Sequence, residues 1–225
     1  MGLIKKWQVE KSNTLEINGG MVEIADNSIK PTKFHNILFY KVPIPFEVYL
    51  NGGAETFGDD YYELRNGDAS GGSSMLTDIR VWLKSDYLPL ELGFDTYIHI
   101  VKYPRWFVGF SNRTKNIFTN RAYNGIWIQN TTNTQNIAYL ITYKDGSYEQ
   151  SASFSFSQDT WHNVKFRVYS DRVECYVDDS LVATNTSYLP INRMLYFGIL
   201  WTDYAGVSGT RSHVRVRNVY IKMIE

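Results

Sequence analysis

The sequence has almost no cysteine, no surplus of either charge and no apolar run long enough to cross a membrane as a helix. Cys175 is its one thiol in 225 residues, which excludes an internal disulfide. A disulfide-stapled scaffold is therefore ruled out, and stability has to come from a core. Lys and Arg number 23 and so do Asp and Glu. With no basic field, neither nucleic acid nor membrane insertion is expected. The opening stretch MGLIKKWQVEKSN places Lys5 and Lys6 ahead of no apolar segment, so no signal peptide is expected in it. Apolar residues nowhere keep helical spacing for three turns, and no long-period repeat suggests a solenoid or propeller. His35, His99, His162 and His213 are scattered without ligand spacing, which argues against zinc. No Gly-rich loop opens a helix to cradle phosphate, and no nucleophile-elbow pattern offers an activated serine.

What the chain does have is aromatic residues, 16% of the total with Tyr 17, Phe 12 and Trp 6. Flat side chains fit a pleated surface and favour strands. The cleanest alternation is WHNVKFRVYSDRVECYVDDSLV, positions 161–182. Val164, Phe166 and Val168 point one way, Lys165, Arg167 and Tyr169 the other, and Val173, Cys175 and Val177 resume the apolar face after a turn at Ser170-Asp171-Arg172. Cys175 is thus expected to be buried and inert. Hairpins are also expected around Asn18-Gly19-Gly20 and Lys144-Asp145-Gly146. Positions 51–74 read as a long excursion holding one short strand at 61–65, and 85–93 as a loop. About fourteen strands emerge by the alternation rule, enough for an all-β, two-sheet antiparallel β-sandwich. One domain over 1–225 is expected. The sequons at Asn112, Asn130 and Asn185 lie in polar stretches.

The pattern in 161–182, Trp-His-x-Val-x-Phe-x-Val, a turn, then Val-x-x-Tyr-Val-Asp-x-x-Leu-Val, resembles the hairpin of concanavalin A-like lectin and glucanase jelly rolls, laminin-G-like modules included. Asp179 stands where that family usually has Gly. The resemblance implies a jelly roll, a fold that hosts lectins, hydrolases, lyases and scaffolds alike. It also implies that calcium can be held by loop carboxylates, for which Asp59-Asp60 and Asp178-Asp179 are the donors, and that Trp161 is a core residue.

Candidate chemistry divides into catalysis and binding. Glycoside hydrolysis needs two carboxylates across the bond. The Glu-x-Asp-x-x-Glu strand of laminarinase-like relatives is missing, which leaves Glu47 with Glu63 as an alternative catalytic pair; solvated strand carboxylates are the plainer expectation. Glu63-Leu64-Arg65 is similar to part of the Arg-x-Glu-Leu-Arg strand of alginate lyases, with Tyr61 in place of the first Arg, and Gln129 is all that matches their Gln-x-His strand. Sugar binding needs less: a ring to stack on a pyranose, with amides or carboxylates for its hydroxyls. Trp127 alternates against Ile126 and Ile128 and so shares a face with Gln129. Trp106, the cluster of Trp201, Asp203 and Tyr204, and the trio Tyr61, Glu63 and Arg65 complete the expected ligand-binding set. The resulting expectation is a non-catalytic, lectin-like carbohydrate-binding or attachment module, extracellular or on a particle surface, with no cofactor. Other protein subunits of a surface assembly are the alternative partners.

Overall fold

A computed structural model describes residues 15–18, 21–24, 37–50, 54–65, 72–100, 104–112, 124–130, 134, 136–203 and 212–224. The chain divides into two compact units, Met1–Phe34 and His35–Glu225. In the first, β1 (Leu15–Asn18) and β2 (Met21–Ile24) pair antiparallel, with Asn18 opposite Met21.

The second unit holds β3 (Ile37–Tyr40), β4 (Pro45–Tyr49), β5 (Ala54–Phe57), β6 (Tyr62–Arg65), β7 (Gly72–Trp82), β8 (Leu90–His99), β9 (Pro104–Ser111), β10 (Asn124–Asn130) and β11 (Ile137–Lys144). It continues with β12 (Ser147–Gln150), β13 (Phe154–Ser155), β14 (Trp161–Val168), β15 (Val173–Val177), β16 (Ser180–Asn185), β17 (Met194–Asp203) and β18 (His213–Met223). Two antiparallel sheets result. The first runs β12-β11-β10-β9-β17-β7-β4, with β13 also on β11; the second runs β16-β15-β14-β8-β18-β6-β5, with β3 also on β18. Among the described residues the only helical element is a single 3-10 turn, Ser85–Tyr87, and no helix is long and apolar enough to cross a membrane.

Alternation builds the core. Val164, Phe166 and Val168 of β14 and Val173 and Cys175 of β15 are all fully buried, as the pattern predicts. Phe94 of the second sheet meets Phe197 of the first at 5.2 Å, and each also contacts a ring of its own sheet, Phe94 with Phe166 at 5.8 Å and Phe197 with Phe110 at 5.4 Å. The β15–β16 turn has Asp178 at φ 49 and Asp179 at φ 66. Both central residues are left-handed, the geometry of a type I′ hairpin normally given to Asn and Gly.

Several expectations need correction. Eighteen strands are present among the described residues, because 51–74 contains β5, β6 and the start of β7, and β8 begins at Leu90 inside the expected loop. Gly93 hid that strand: a Cβ there would stand 2.2 Å from the Tyr220 ring, which lies across it. Trp161 is half-exposed on the outer face of the second sheet, and its neighbour His162 is the buried one. Asn130 and Asn185 are buried, and the side-chain amide of each donates to backbone carbonyls, so neither sequon offers a free amide. Asn185, at the end of β16, donates to the Leu140 and Glu149 carbonyls and to Thr142 Oγ1, while Glu149 accepts from the Thr186 and Ser187 amides.

Candidate functional site

Both sheets present developed outer faces, and they differ in chemistry. On the first sheet, outward positions of four adjacent strands form cross-strand rows: Phe107, Gln129 and Tyr139; Gly109, Trp127, Ile141 and Gln150; Ser111, Gly125, Tyr143 and Tyr148. Trp127, Ile141 and Tyr143 pack as a small cluster separate from the core, flanked by Phe107 and Tyr139. Trp127 stacks on Tyr143 at 6.0 Å and 22°, and Tyr143 stacks on Tyr148 at 5.8 Å and 3°. Trp127 is 8% exposed and acts as floor, whereas Tyr148 is 45% exposed. Gly125 permits this: a Cβ there would fall 2.4 Å from Trp127 Cζ3. Beside the rings runs an amide relay. Trp127 Nε1 donates to Gln129 Oε1 at 3.0 Å, and Gln129 Nε2 donates to Gln150 Oε1 at 3.4 Å. Since Trp can only donate, the relay has one direction, and it ends with the exposed Gln150 amide NH2 as donor.

The second sheet carries charge. Glu63 of β6 is fully buried. Arg65 Nε donates to its Oε1, Arg215 Nε donates to its Oε2 at 2.5 Å, and His213 Nε2 stands 3.9 Å from Oε2. Burial by itself raises this carboxyl's pKa, but the bonds from Arg215 and Arg65, aided by His213, outweigh it and hold the group below the usual carboxylate range. The Arg215 guanidinium lies over Tyr61 at 4.9 Å and Tyr97 at 5.1 Å, and Arg217 lies over Trp161 at 4.1 Å. His99 and His213 stack at 5.0 Å, and Asp159 accepts from Tyr97 Oη and faces His99 Nδ1 at 2.6 Å. Arg217 is paired with Asp60 at 2.6 Å and Asp95 at 3.4 Å.

The sequence-derived residues therefore do not converge. Trp127 and Gln129 share the first sheet's outer face; Tyr61, Glu63 and Arg65 share the second's. The sheets pack core to core, so the two sets point apart, and a lyase-like union of Gln129 with Glu63 and Arg65 is ruled out. The expectation of a solvated Glu63 is also wrong, because two guanidinium groups make its burial tolerable. The Glu47 backbone lies in β4 of the first sheet, opposite Leu76, so it does not share a sheet with Glu63. Trp106 is 2% exposed and packs on Phe156 at 5.4 Å between the sheets, which removes it from any ligand surface. The backbones of Trp201 and Asp203 lie opposite Trp106 and Pro104. Their side chains, that of Glu47 and all of Tyr204 lie outside the described residues.

A serine, a histidine and an acid do come together: Ser157 Oγ is 3.0 Å from His162 Nε2, and Nδ1 is 2.6 Å from Asp178 Oδ2. The same Nε2 also faces the Ser157 carbonyl at 3.0 Å. A backbone acceptor there competes with the role of base, so the trio ties β14 to the Asp178 turn. Of the expected calcium donors, Asp60 pairs with Arg217, Asp178 with His162 and Asp179 with Lys165. Among the described residues, no group of three His, Cys, Asp or Glu side chains is placed to hold a metal ion.

The alternation that betrayed Trp127 also marks what sequence reading missed. Tyr139, Ile141 and Tyr143 alternate with the inward Ala138, Leu140 and Thr142, and Arg215 and Arg217 alternate with Val214 and Val216.

No family model matches the chain, and no curated protein matches it in sequence. Solved structures do match in shape. The carbohydrate-binding module CBM66 from Bacillus subtilis superposes with a TM-score of 0.52 at 15% identity, covering 79% of this chain and 96% of its own. A native glycosidic hydrolase gives 0.59 at 14%, covering 87% and 98%. The exoplasmic/lumenal domain of VIP36, in a form bound to Ca2+ and Man3GlcNAc, gives 0.56 at 14%, covering 80% and 84%. Two antiparallel sheets packed through an aromatic core, together with these likenesses, identify the fold as a concanavalin A-like jelly roll.

Proposed function

We propose that the protein is a non-catalytic carbohydrate-binding module of lectin type, engaging its glycan on the outer face of the first sheet of the His35–Glu225 unit. The observation that carries this reading is the exposed Tyr148, stacked on Tyr143, which in turn stacks on Trp127, beside an amide relay that ends in the exposed Gln150. A pyranose presents an apolar face and a rim of hydroxyls. Tyr148 takes the first, and the Gln150 amide donates to an oxygen of the second. Buried Trp127 keeps the rings parallel, so little ordering is left to be done on binding. The outward side chains of β9 to β12 described above are aromatic, aliphatic, amide, hydroxyl and glycine, which suits recognition more than acid catalysis. Likeness to a carbohydrate-binding module and to a domain bound to Man3GlcNAc supports the same reading. A glycan target suits a module outside the cell or on a particle surface.

The test is a glycan array followed by calorimetry on the best oligosaccharide. Tyr148→Ala removes a stacking partner worth about 1 kcal/mol and should weaken binding about five- to tenfold. Retention of no glycan by the wild-type protein, or unaltered affinity in both Tyr148→Ala and Gln150→Ala, refutes the assignment.

A further inference from the structure

We propose a second, separate site on the outer face of the other sheet, where Arg65 and Arg215 bind the carboxylate or sulfate of an acidic saccharide. Glu63 neutralises one guanidinium and organises two. It takes Arg65 and Arg215 each through Nε, so the Nη groups of both remain available: among the described residues no other carboxylate bonds to either. Within this triad two cations meet one buried anion, and the nearby acids are turned to other partners: Asp159 accepts from Tyr97 and faces His99, Asp60 accepts from Arg217, and Asp95 accepts from Asn163 and Asn218.

Orientation is fixed as well as charge. Tyr61 and Tyr97 hold the Arg215 guanidinium from either ring, and Arg65 sits one register step away, opposite His213. The two side chains are 27% and 37% exposed, and the Nε of each is the atom that meets Glu63. A planar fork of N–H donors in a fixed plane suits an oxyanion with two oxygens to offer. Tyr97 and Trp161, with rings 5.8 Å apart, lie alongside for the sugar ring that carries it. The saccharide part of the ligand rests on the glycan reading above; the oxyanion clamp does not.

Three probes separate the sources: a polygalacturonate oligomer for a carboxylate, a carrageenan oligomer, sulfated and free of uronate, for a sulfate and a laminarin oligomer as neutral reference. Affinities are measured at two salt concentrations, with free sulfate and chloride as competitors at matched ionic strength. The expected result is binding of at least one acidic probe, weakened tenfold or more by Arg65→Gln and by a smaller factor in Arg65→Lys, which keeps the charge and loses the fork. Thermal melts check that each variant folds, and Arg65→Lys decides if Arg65→Gln does not. Equal affinity in wild type and the Arg65 variants overturns the site, as does equal competition by chloride and sulfate. Loss of acidic binding in Tyr148→Ala with retention in Arg65→Gln moves the oxyanion to the first sheet and overturns this proposal alone. Binding of no saccharide, acidic or neutral, overturns both readings.

Discussion

Replacing Glu63 by Gln tests whether the second sheet depends on a buried charge. The carboxylate accepts one charge-assisted bond from each of two arginines, and such bonds contribute roughly 1.5–3 kcal/mol apiece. Gln keeps one oxygen as acceptor for one guanidinium but turns its NH2 toward the other. Both guanidinium groups are part-exposed and recover hydration when released, so the loss falls below the roughly 3–5 kcal/mol of a fully buried pair. The expected cost is about 2–3 kcal/mol, or about 4–12 °C in Tm for a chain of this length. The pH dependence supplies the sharper check. Glu63's folded-state pKa lies below its ordinary value of 4.5. Its stabilisation is therefore complete above 4.5 and is lost as pH falls through the depressed value. Melts of both proteins between pH 7 and 3 should show a gap that is constant down to about pH 5 and then narrows as the wild type protonates. Equal Tm values at pH 7, or a gap that stays constant to pH 3, refute the reasoning.

Gly125→Ala places a methyl 2.4 Å from Trp127 Cζ3 and 2.7 Å from the Phe110 carbonyl. The ring can tilt but the backbone oxygen cannot, so a destabilisation of about 1–3 kcal/mol is expected together with a shifted tryptophan emission; an unchanged emission and Tm show that Trp127 does not lie across Gly125. Asp179→Gly relieves a left-handed residue at φ 66 while giving up only an exposed pair with Lys165. Its Tm should rise, and a fall shows that the ion pair sets the turn.

The sheet architecture was readable because most strands keep one face dry. Val164, Phe166 and Val168 announce β14, and Ile126 and Ile128 against Trp127 announce β10. Reading failed where a residue's role depends on a partner distant in sequence. Glu63 looks like a surface carboxylate until β18, some 150 positions later, brings Arg215 to it. Gly93 looks like a loop residue until Tyr220 covers it. Trp106 and Trp127 are equally plausible stacking residues by type, and their alternation in β9 and β10 sends one inward and the other outward. Whether Glu63 and Gln129 share a face depends on which sheet each strand joins, and local pattern carries no such information.

The Asn185 contacts matter beyond the few bonds they supply. Strands β12 and β16 are the last in their respective sheets, each with a row of backbone groups that a foreign strand could pair with. By giving its amide to the Glu149 carbonyl, Asn185 occupies part of one such margin, and Glu149 returns the favour at Thr186 and Ser187. The lip of the sandwich is thereby laced by side-chain bonds on this side, and an intruding strand would have to displace them there.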